Sequence, residues 1–355
     1  MLVKHECQMG FRQQGLSIVE IMIALVLGAL LTLGLVQIFT ANSQSFRVNE
    51  ASARAQESGR ISSDILARSI RNAGYYGCFP VNGIKNNLDT TDNDYDETLH
   101  EFRSEGIFSN DTDAPTIADT DSDWFVVSGL RSGGVSLRSV GQINSASFTV
   151  NQRGDLAPGD VIMVSDCNNG DIFEISNIQQ GGGSTADVTV VANSGNGEPG
   201  NDFSANSPAG CNNPNNCLSG LYPDGAQVLR PYNETYFIAQ GSSGTNSLFY
   251  IDSTANSAQP IELVSGVERL RARYAIGDTS NFVDASGVGN WDNVVAVQIA
   301  LLVRSGANNI LETPRSMCFP WWEQGGECSV SDNFTAGDNA LYRDYSFTTA
   351  LRNRR

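Results

Sequence analysis

Histidine and lysine are almost absent from this 355-residue sequence, which holds two of the former (His5, His100) and two of the latter (Lys4, Lys85). That scarcity removes most hydrolytic mechanisms built on a His base, and it removes His-rich metal sites. Positive charge as a whole is short: 22 Lys+Arg stand against 39 Asp+Glu, a formal net charge of −17. A surface this acidic repels phosphate backbones, so direct nucleic-acid binding over a whole face is not expected, although a local arginine patch is compatible with it. No Cys-x-x-Cys pair occurs, and no His lies near any of the six cysteines from Cys78 onward, so zinc is not the reading of those cysteines. Gly181-Gly182-Gly183 lacks the Lys of a phosphate-binding loop and reads as a flexible turn. With 40% hydrophobic and 8% aromatic residues, the chain is neither disordered nor a long coiled coil. No repeat stands out, and nothing indicates an enzyme, a metal or a cofactor.

One long apolar run is present. Ile21 to Val36 carries no charge, and Leu16 to Phe39 is apolar apart from Ser17, Glu20, Thr32 and Gln37. As a helix this stretch spans roughly 36 Å, enough to cross a hydrocarbon core. Lys4 and Arg12 precede it, so the positive-inside rule keeps the N-terminus cytoplasmic and exports the chain beyond Phe39. Ile38-Phe39-Thr40-Ala41-Asn42-Ser43-Gln44 contains no Ala-x-Ala, which argues against a cleaved secretory signal. A plain anchor leaves Glu20 unexplained, because a carboxylate at mid-bilayer costs about 2.5–3.5 kcal/mol and usually has a partner. Cleavage after Gly15 would supply one: the new α-amino group on Leu16 is positive and lies four residues from Glu20, near helical i, i+4 spacing. An acid in the first turn also complements the helix dipole.

The stretch Gly15-Leu16-Ser17-Ile18-Val19-Glu20, followed by an apolar helix, resembles the type IV prepilin leader. The resemblance implies that a membrane prepilin peptidase cuts between Gly15 and Leu16 and N-methylates Leu16. It implies that Glu20 guides assembly. Leu16 departs mildly from the commoner Phe or Met at that position.

The helix is expected to continue to Ala73, since residues 40–73 lack Pro and Gly74 supplies a stop. Ile61, Ile65, Leu66 and Ile70 would face a packed domain, with Arg54, Arg60, Arg68 and Arg71 outside. Gly28, Gly34 and Gly59 are points where it could bend. The division read from the sequence is thus a leader at 1–15, a long helix at 16–73 (16–39 for membrane or filament core) and a head at 74–355. Within the head, period-two stretches predict strands at Trp124–Gly129, Ser147–Val150, Val161–Ser165, Ile172–Ser176, Asp187–Ala192, Glu234–Ala239, Ser247–Ile251, Glu268–Ile276, Asn293–Arg304 and Asp344–Arg352. In Glu268–Ile276, Leu270, Ala272 and Tyr274 alternate with Arg269, Arg271 and Arg273, giving one wet face. The fold class is α+β: a pilin-like long helix against an antiparallel β-rich head with an inserted lobe.

Cys7 falls in the leader, which leaves Cys78, Cys167, Cys211, Cys217, Cys318 and Cys328, an even number in an exported head. Six cysteines allow fifteen connectivities. Short loops favour Cys211–Cys217 and Cys318–Cys328, leaving Cys78 with Cys167.

Three further segments narrow the likeness. Arg68-Ser69-Ile70-Arg71-Asn72-Ala73-Gly74-Tyr75-Tyr76-Gly77-Cys78, Val164-Ser165-Asp166-Cys167, and the tail from Tyr342-Arg343-Asp344-Tyr345 to Leu351-Arg352-Asn353 are similar to PilW-type minor pilins, which are related to the J-type pseudopilins of type II secretion. The loops at 85–123 and 193–224 fall outside this resemblance. It implies a minor pilin of a type IV pilus that helps initiate assembly, and so serves twitching, adhesion or DNA uptake. Its partners would be prepilin peptidase, other minor and major pilins through the helix, and a PilY-type tip adhesin. It implies residence in a bacterial inner membrane, head in the periplasm, then in the pilus at the cell surface. A head this large is too bulky for the repeating major subunit. The alternatives are a J-type pseudopilin or a membrane-tethered adhesin.

Other features carry less. Asp92-x-Asp94-x-Asp96 and Asp119-x-Asp121-x-Asp123 look like calcium loops but lack the Gly and Glu an EF-hand requires, so both read as solvated loops. Trp321 and Trp322 read as packing beneath a disulfide rather than a ligand platform. The terminal Arg352, Arg354 and Arg355 read as a frayed polar end, and His100 has no paired nucleophile. The cleavage reading is checked directly: a Gly15→Glu substitution is expected to leave an uncut, unmethylated precursor, and mass spectrometry finding a normal Leu16 terminus would refute it.

Overall fold

The structure, a computed structural model, describes residues 15, 17–78, 83–110, 112–138, 147–180, 188–192, 197–206, 210–213, 217–254, 259–277, 281–324 and 333–353. The leader residues 1–14, Leu16, Gly181–Gly183, Cys328, Arg354 and Arg355 lie outside them.

Helix α1 runs Ile18–Asn72 without interruption through Gly28, Gly34 and Gly59. It stops where Gly74 takes a φ of +69°, and its last carbonyls are met by the tail: Asn353 Nδ2 reaches the oxygens of Asn72 and Ala73 at 3.4 Å. The chain then forms strand β1 (Ile84–Asn86), the one-turn helix α2 (Glu97–His100), β2 (Ile107–Phe108) and the long β3 (Phe125–Ser136). Shorter strands come next: β4 (Ser147–Val150), β5 (Val161–Ser165), β6 (Gly170–Glu174), β7 (Asn177–Gln180) and β8 (Val188–Val191). The remainder holds β9 (Gln227–Gln240), β10 (Asn246–Asp252), β11 (Ile261–Ser265), β12 (Val267–Ile276), β13 (Phe282–Val283), β14 (Val294–Arg304), β15 (Ser316–Cys318), β16 (Asn333–Thr335) and β17 (Tyr342–Ala350).

The largest sheet has the order β1-β6-β5-β9-β10-β11, with β3 and β2 branching from β9. A second sheet, β13-β12-β14-β17, is antiparallel throughout. The head is therefore β-rich and mainly antiparallel, but β1 joins β6 in parallel, which the alternation pattern does not indicate. Strand β9 begins seven residues earlier than the predicted Glu234, and it contains Pro231. A proline removes a ladder hydrogen bond and argues against a central strand. It is accommodated because β9 changes partner there: β5 pairs with Met163 opposite Leu229, and β10 takes over at Glu234.

Two cores are the largest. In one, Leu66 and Ile70 of α1, with Ala73 just beyond its end, join both sheets through residues such as Phe125, Tyr236, Leu270, Tyr274 and Leu301. An inserted lobe has a core of its own, with Phe148, Phe173, Phe203 and Tyr222 at its centre. Disulfides tie the pieces: Cys78–Cys167 fastens the segment after α1 to the turn between β5 and β6, and Cys211–Cys217 closes a short loop. Cys318 is also disulfide-bonded, while its expected mate Cys328 lies outside the described residues.

The acidic run before β3 is only partly solvated. Asp121 pairs with Arg269 at 3.0 Å and Asp123 with Arg271 at 2.9 Å, while Asp119 accepts from Asn246 at 2.7 Å. The alternating arginines of β12 thus hold this strap across the sheet instead of facing water freely. Burial pushes the Asp123 carboxyl up, against the pull of Arg271 beside it. The run at 92–96 does remain exposed, its Asp92 bonding back to the Asp94 amide. No group of acids, His or Cys able to hold a metal occurs among the described residues.

The deepest cation among the described residues is Arg304, 6% exposed, whose Nε donates to Asp338 at 3.0 Å and whose other nitrogens reach Ser305 O and Asn308. Partial burial pushes the Asp338 carboxyl up, but hydrogen bonds and charge from Arg304 outweigh it, so its pKa is held below the usual value. A depressed carboxylate contributes stability above its unfolded pKa, and the contribution is lost as pH falls through the folded one. Asp338→Asn leaves a buried cation uncompensated and is expected to cost about 3 kcal/mol. Thermal or urea unfolding at pH 7 reads this; equal stability of variant and parent would contradict it.

Candidate assembly interface

The lower half of α1 stands clear of the head. From Ile18 to Phe46 its large apolar side chains all lie exposed, Ile18 at 78% and Phe39 at 75%. This is the one helix among the described residues long and apolar enough to cross a membrane. Burying such a side chain is worth about 1.5–3 kcal/mol, so the stretch represents tens of kcal/mol of apolar surface. A whole domain is stable by only about 5–15 kcal/mol. Water is therefore not the medium this helix is made for.

Its polar interruptions divide into two kinds. The hydroxyl of Thr32 donates to Gly28 O at 2.7 Å and that of Thr40 to Val36 O at 3.0 Å, so both are satisfied within the helix. Such back-bonding lets a hydroxyl lie in an apolar medium. Glu20 has no such escape. It occupies the first turn of α1, exposed and without a partner among the described residues. Gly15, five residues earlier, is open: apart from its own chain neighbours, nothing lies within 4 Å of the position a Cβ would take.

The upper half is gripped by the head. Gln44 makes the first head contact, donating to Ile310 O at 2.7 Å, and Arg47 adds a second with Asn309 O at 3.2 Å. Then a stripe of Ala51, Ala55, Gly59, Ser62, Leu66 and Ile70 turns inward, while Arg54, Arg60, Arg68 and Arg71 face out. The stripe begins small and ends large. At Gly59 the ring of Tyr345 from β17 lies so near that an added Cβ would come within 2.6 Å of three ring carbons. Gly59 is thus a place of close approach rather than a bend. Ile61, expected inside, is 38% exposed, since the inward face passes through Ser62 instead. Beyond the stripe, Ser69 donates to Glu234 at 2.8 Å, and Tyr236 donates to the same oxygen at 2.8 Å. Gly106 lets the backbone at Gly74 pass, since a Cβ there would sit 2.5 Å from the Gly74 nitrogen.

The geometry is that of one rigid helix, half seated in a β-rich head and half projecting as a bare apolar rod. Against this arrangement, the family model described as type IV pilus-assembly protein W matches residues 235–353. Over that span the chain is similar to the PilW family. The match covers about a third of the sequence and takes in the end of β9 and β10 to β17, among them β11, β14 and β17, on which α1 packs. Among solved structures, a type IV-like pilin, TTHA1219 from Thermus thermophilus, is similar over 35% of this chain and 68% of its own, at 18% identity and a TM-score of 0.21. A likeness that small carries no argument. Comparison with curated proteins gives no match.

Of the residues picked from sequence, Glu20 lies in the first turn of α1 and Gly15 precedes the helix, while the described cysteines all lie in the head. Trp322 packs with Phe319 and Phe334, while Trp321 stays 54% exposed at its edge. His100 is tied locally, its Nδ1 accepting from the Asp96 amide at 2.9 Å. The tail is not frayed at Asn353, which caps the helix. Sequence reasoning missed the small-residue stripe because it sought large apolar residues; the spacing of Ala51, Ala55, Gly59 and Ser62 was the available signal. Gly59→Leu is expected to destabilise the head by about 1–3 kcal/mol through overpacking. Adding Tyr345→Ala should recover part of that loss. Melting of the detergent-solubilised protein checks both, and additive losses would contradict the contact.

Proposed function

We propose that this chain is a minor pilin of a type IV pilus, cut between Gly15 and Leu16 by prepilin peptidase and carried from the inner membrane into the filament. The observation that supports it best is the projecting apolar half of α1, with one unpartnered acid, Glu20, at its tip. In the membrane this rod is solvated by lipid. In a filament it would exchange lipid contacts for the helices of neighbouring subunits, and the exchange is near neutral in hydrophobic terms because both environments are apolar. Selection of register must then come from a polar interaction. The carboxylate of Glu20 and the amine freed at Leu16, in its own or an adjacent subunit, would form such a pair. Outside water the attraction of two unit charges is several times stronger than at a wetted surface.

The head's size, and its covalent tie between the helix end and the β5–β6 turn, fit a subunit placed once or a few times rather than the repeating one. A role in initiating assembly, with consequences for twitching, adhesion or DNA uptake, accords with that placement. Glu20→Val separates processing from assembly: the variant is expected to be cleaved normally and to reach sheared filaments at less than about a tenth of the parental amount, as loss of a buried charge pair would give. Immunoblotting of sheared pili beside whole membranes gives the readout, and parental incorporation would reject the charge-pair account.

A further inference from the structure

The described arginines differ in how they are neutralised. Most of those within the sheets are paired with acids, Arg131 with Glu234 and Asp252, Arg230 with Asp160, Arg269 with Asp121, Arg271 with Asp123 and Arg304 with Asp338, while Arg343 of β17 donates to Ser52 instead. Arg68 and Arg71 on α1 and Arg352 in the tail are different. None of the three has an ion-pair partner among the described residues, and all are exposed.

These three converge on one feature, a groove of about 770 Å³ between the last turns of α1 and the surface of β3 and β9. Its apolar lining includes Ile61, Leu130 and Tyr232, with Tyr75 49% exposed at the mouth. The groove's own acid, Glu234, is already quenched by Arg131, Ser69 and Tyr236. Only Asp64 among the lining residues is left to oppose the three cations. On a chain with a net charge of −17, an uncompensated positive groove with an apolar floor is a local reversal of sign. It has the makings of a recognition surface for something anionic.

Three anionic occupants are chemically possible, and position decides among them. Arg68 lies 29 residues beyond Phe39, about 44 Å along α1 at 1.5 Å per residue. Lipid headgroups extend only about 5–8 Å beyond the hydrocarbon core, so a membrane surface does not reach it. Nucleic acid would bring many phosphates against a strongly acidic head and against Asp64 at the groove itself. An acidic peptide segment meets neither obstacle. We propose that this groove binds an extended acidic segment presented by the head of a neighbouring filament subunit, its carboxylates on Arg68, Arg71 and Arg352 and its apolar side chains on the groove floor. The proposal deepens the reading of the chain as a filament subunit and rests on it for the identity of the neighbour. Arginine suits the task, since its planar fork takes a carboxylate through two parallel hydrogen bonds.

The test uses the full-length protein in neutral detergent and a fluorescein-labelled peptide with the sequence of residues 89–97, which supplies five carboxylates and one tyrosine. Fluorescence anisotropy should show saturable binding that weakens as salt rises. The double variant Arg68→Glu with Arg71→Glu should weaken it at least tenfold, as should replacing the peptide carboxylates by amides. Arg54→Glu with Arg315→Glu, the same charge change elsewhere, should change it less than twofold. A single-stranded oligonucleotide of equal charge should bind at least tenfold more weakly than the peptide. No saturable peptide binding, an equal loss in the Arg54/Arg315 variant, or oligonucleotide binding as tight as the peptide's would each overturn the proposal. Peptide binding is read on purified protein and filament incorporation on sheared pili. Loss of the first with Glu20-dependent incorporation intact removes the groove alone, and the converse removes the assembly reading alone.

Discussion

One continuous helix must satisfy two media, and the rest of the molecule is shaped by that constraint. The lower half of α1 carries more apolar surface than the whole head has net stability, so it has to lie in lipid or among other helices. The upper half has to hold a folded domain at a fixed angle to that rod. A flexible joint between the two would waste the arrangement, because movement of the rod would not be passed to the head. Between Gly34 and Gly59 the helix contains neither Gly nor Pro, and the head's grip starts within that span at Gln44 and Arg47. Stiffness is written where the change of medium occurs.

The small-residue stripe answers the same demand. Ala51, Ala55 and Gly59 bring the helix axis close to β17, where Tyr345 covers the glycine, and Leu66 and Ile70 then fill the wider space near the helix end. Close approach multiplies weak dispersion contacts along the length of the seat instead of relying on a few large side chains. The tail closes the circuit, since Asn353 caps α1 only because β17 runs beside it and delivers the tail to the helix end. The match to type IV pilus-assembly protein W runs to residue 353 and so includes β17 and this tail.

Much of this is legible in the sequence, and the reasons differ by element. The apolar rod and Glu20 can be read because a charge in a long hydrophobic run has few explanations. Strands β4 and β5 coincide with the predicted stretches, and β12 differs by a residue, because each alternates or runs apolar between turn residues. Half of strand β9 escapes detection, since Pro231 ordinarily marks a strand's limit and only a switch of partners lets it stay. The parallel pairing of β1 with β6 depends on residues far apart in sequence and leaves no local pattern. The acidic run at 119–123 looks solvated because its partners, Arg269 and Arg271, lie 148 residues away, and they too read as a wet face. Each half of that ladder looks exposed when seen alone.

Charge then becomes the term that limits packing. Heads carrying so large a negative excess repel one another when brought within a Debye length, about 8 Å at physiological salt. Burial of apolar helices can outweigh this, but it does not choose which faces of the heads meet. The molecule deals with many of its acids internally, by pairing them with sheet arginines, and thereby lowers the repulsion without creating an attraction. Three arginines left unpaired lie together at the upper end of the helix, far from the membrane. A subunit built this way would meet its neighbours with an apolar rod below, which is indifferent to partner, and a cationic groove above, which is not. Affinity and selectivity would then reside at opposite ends of the same helix, joined by the stiffness that carries one to the other.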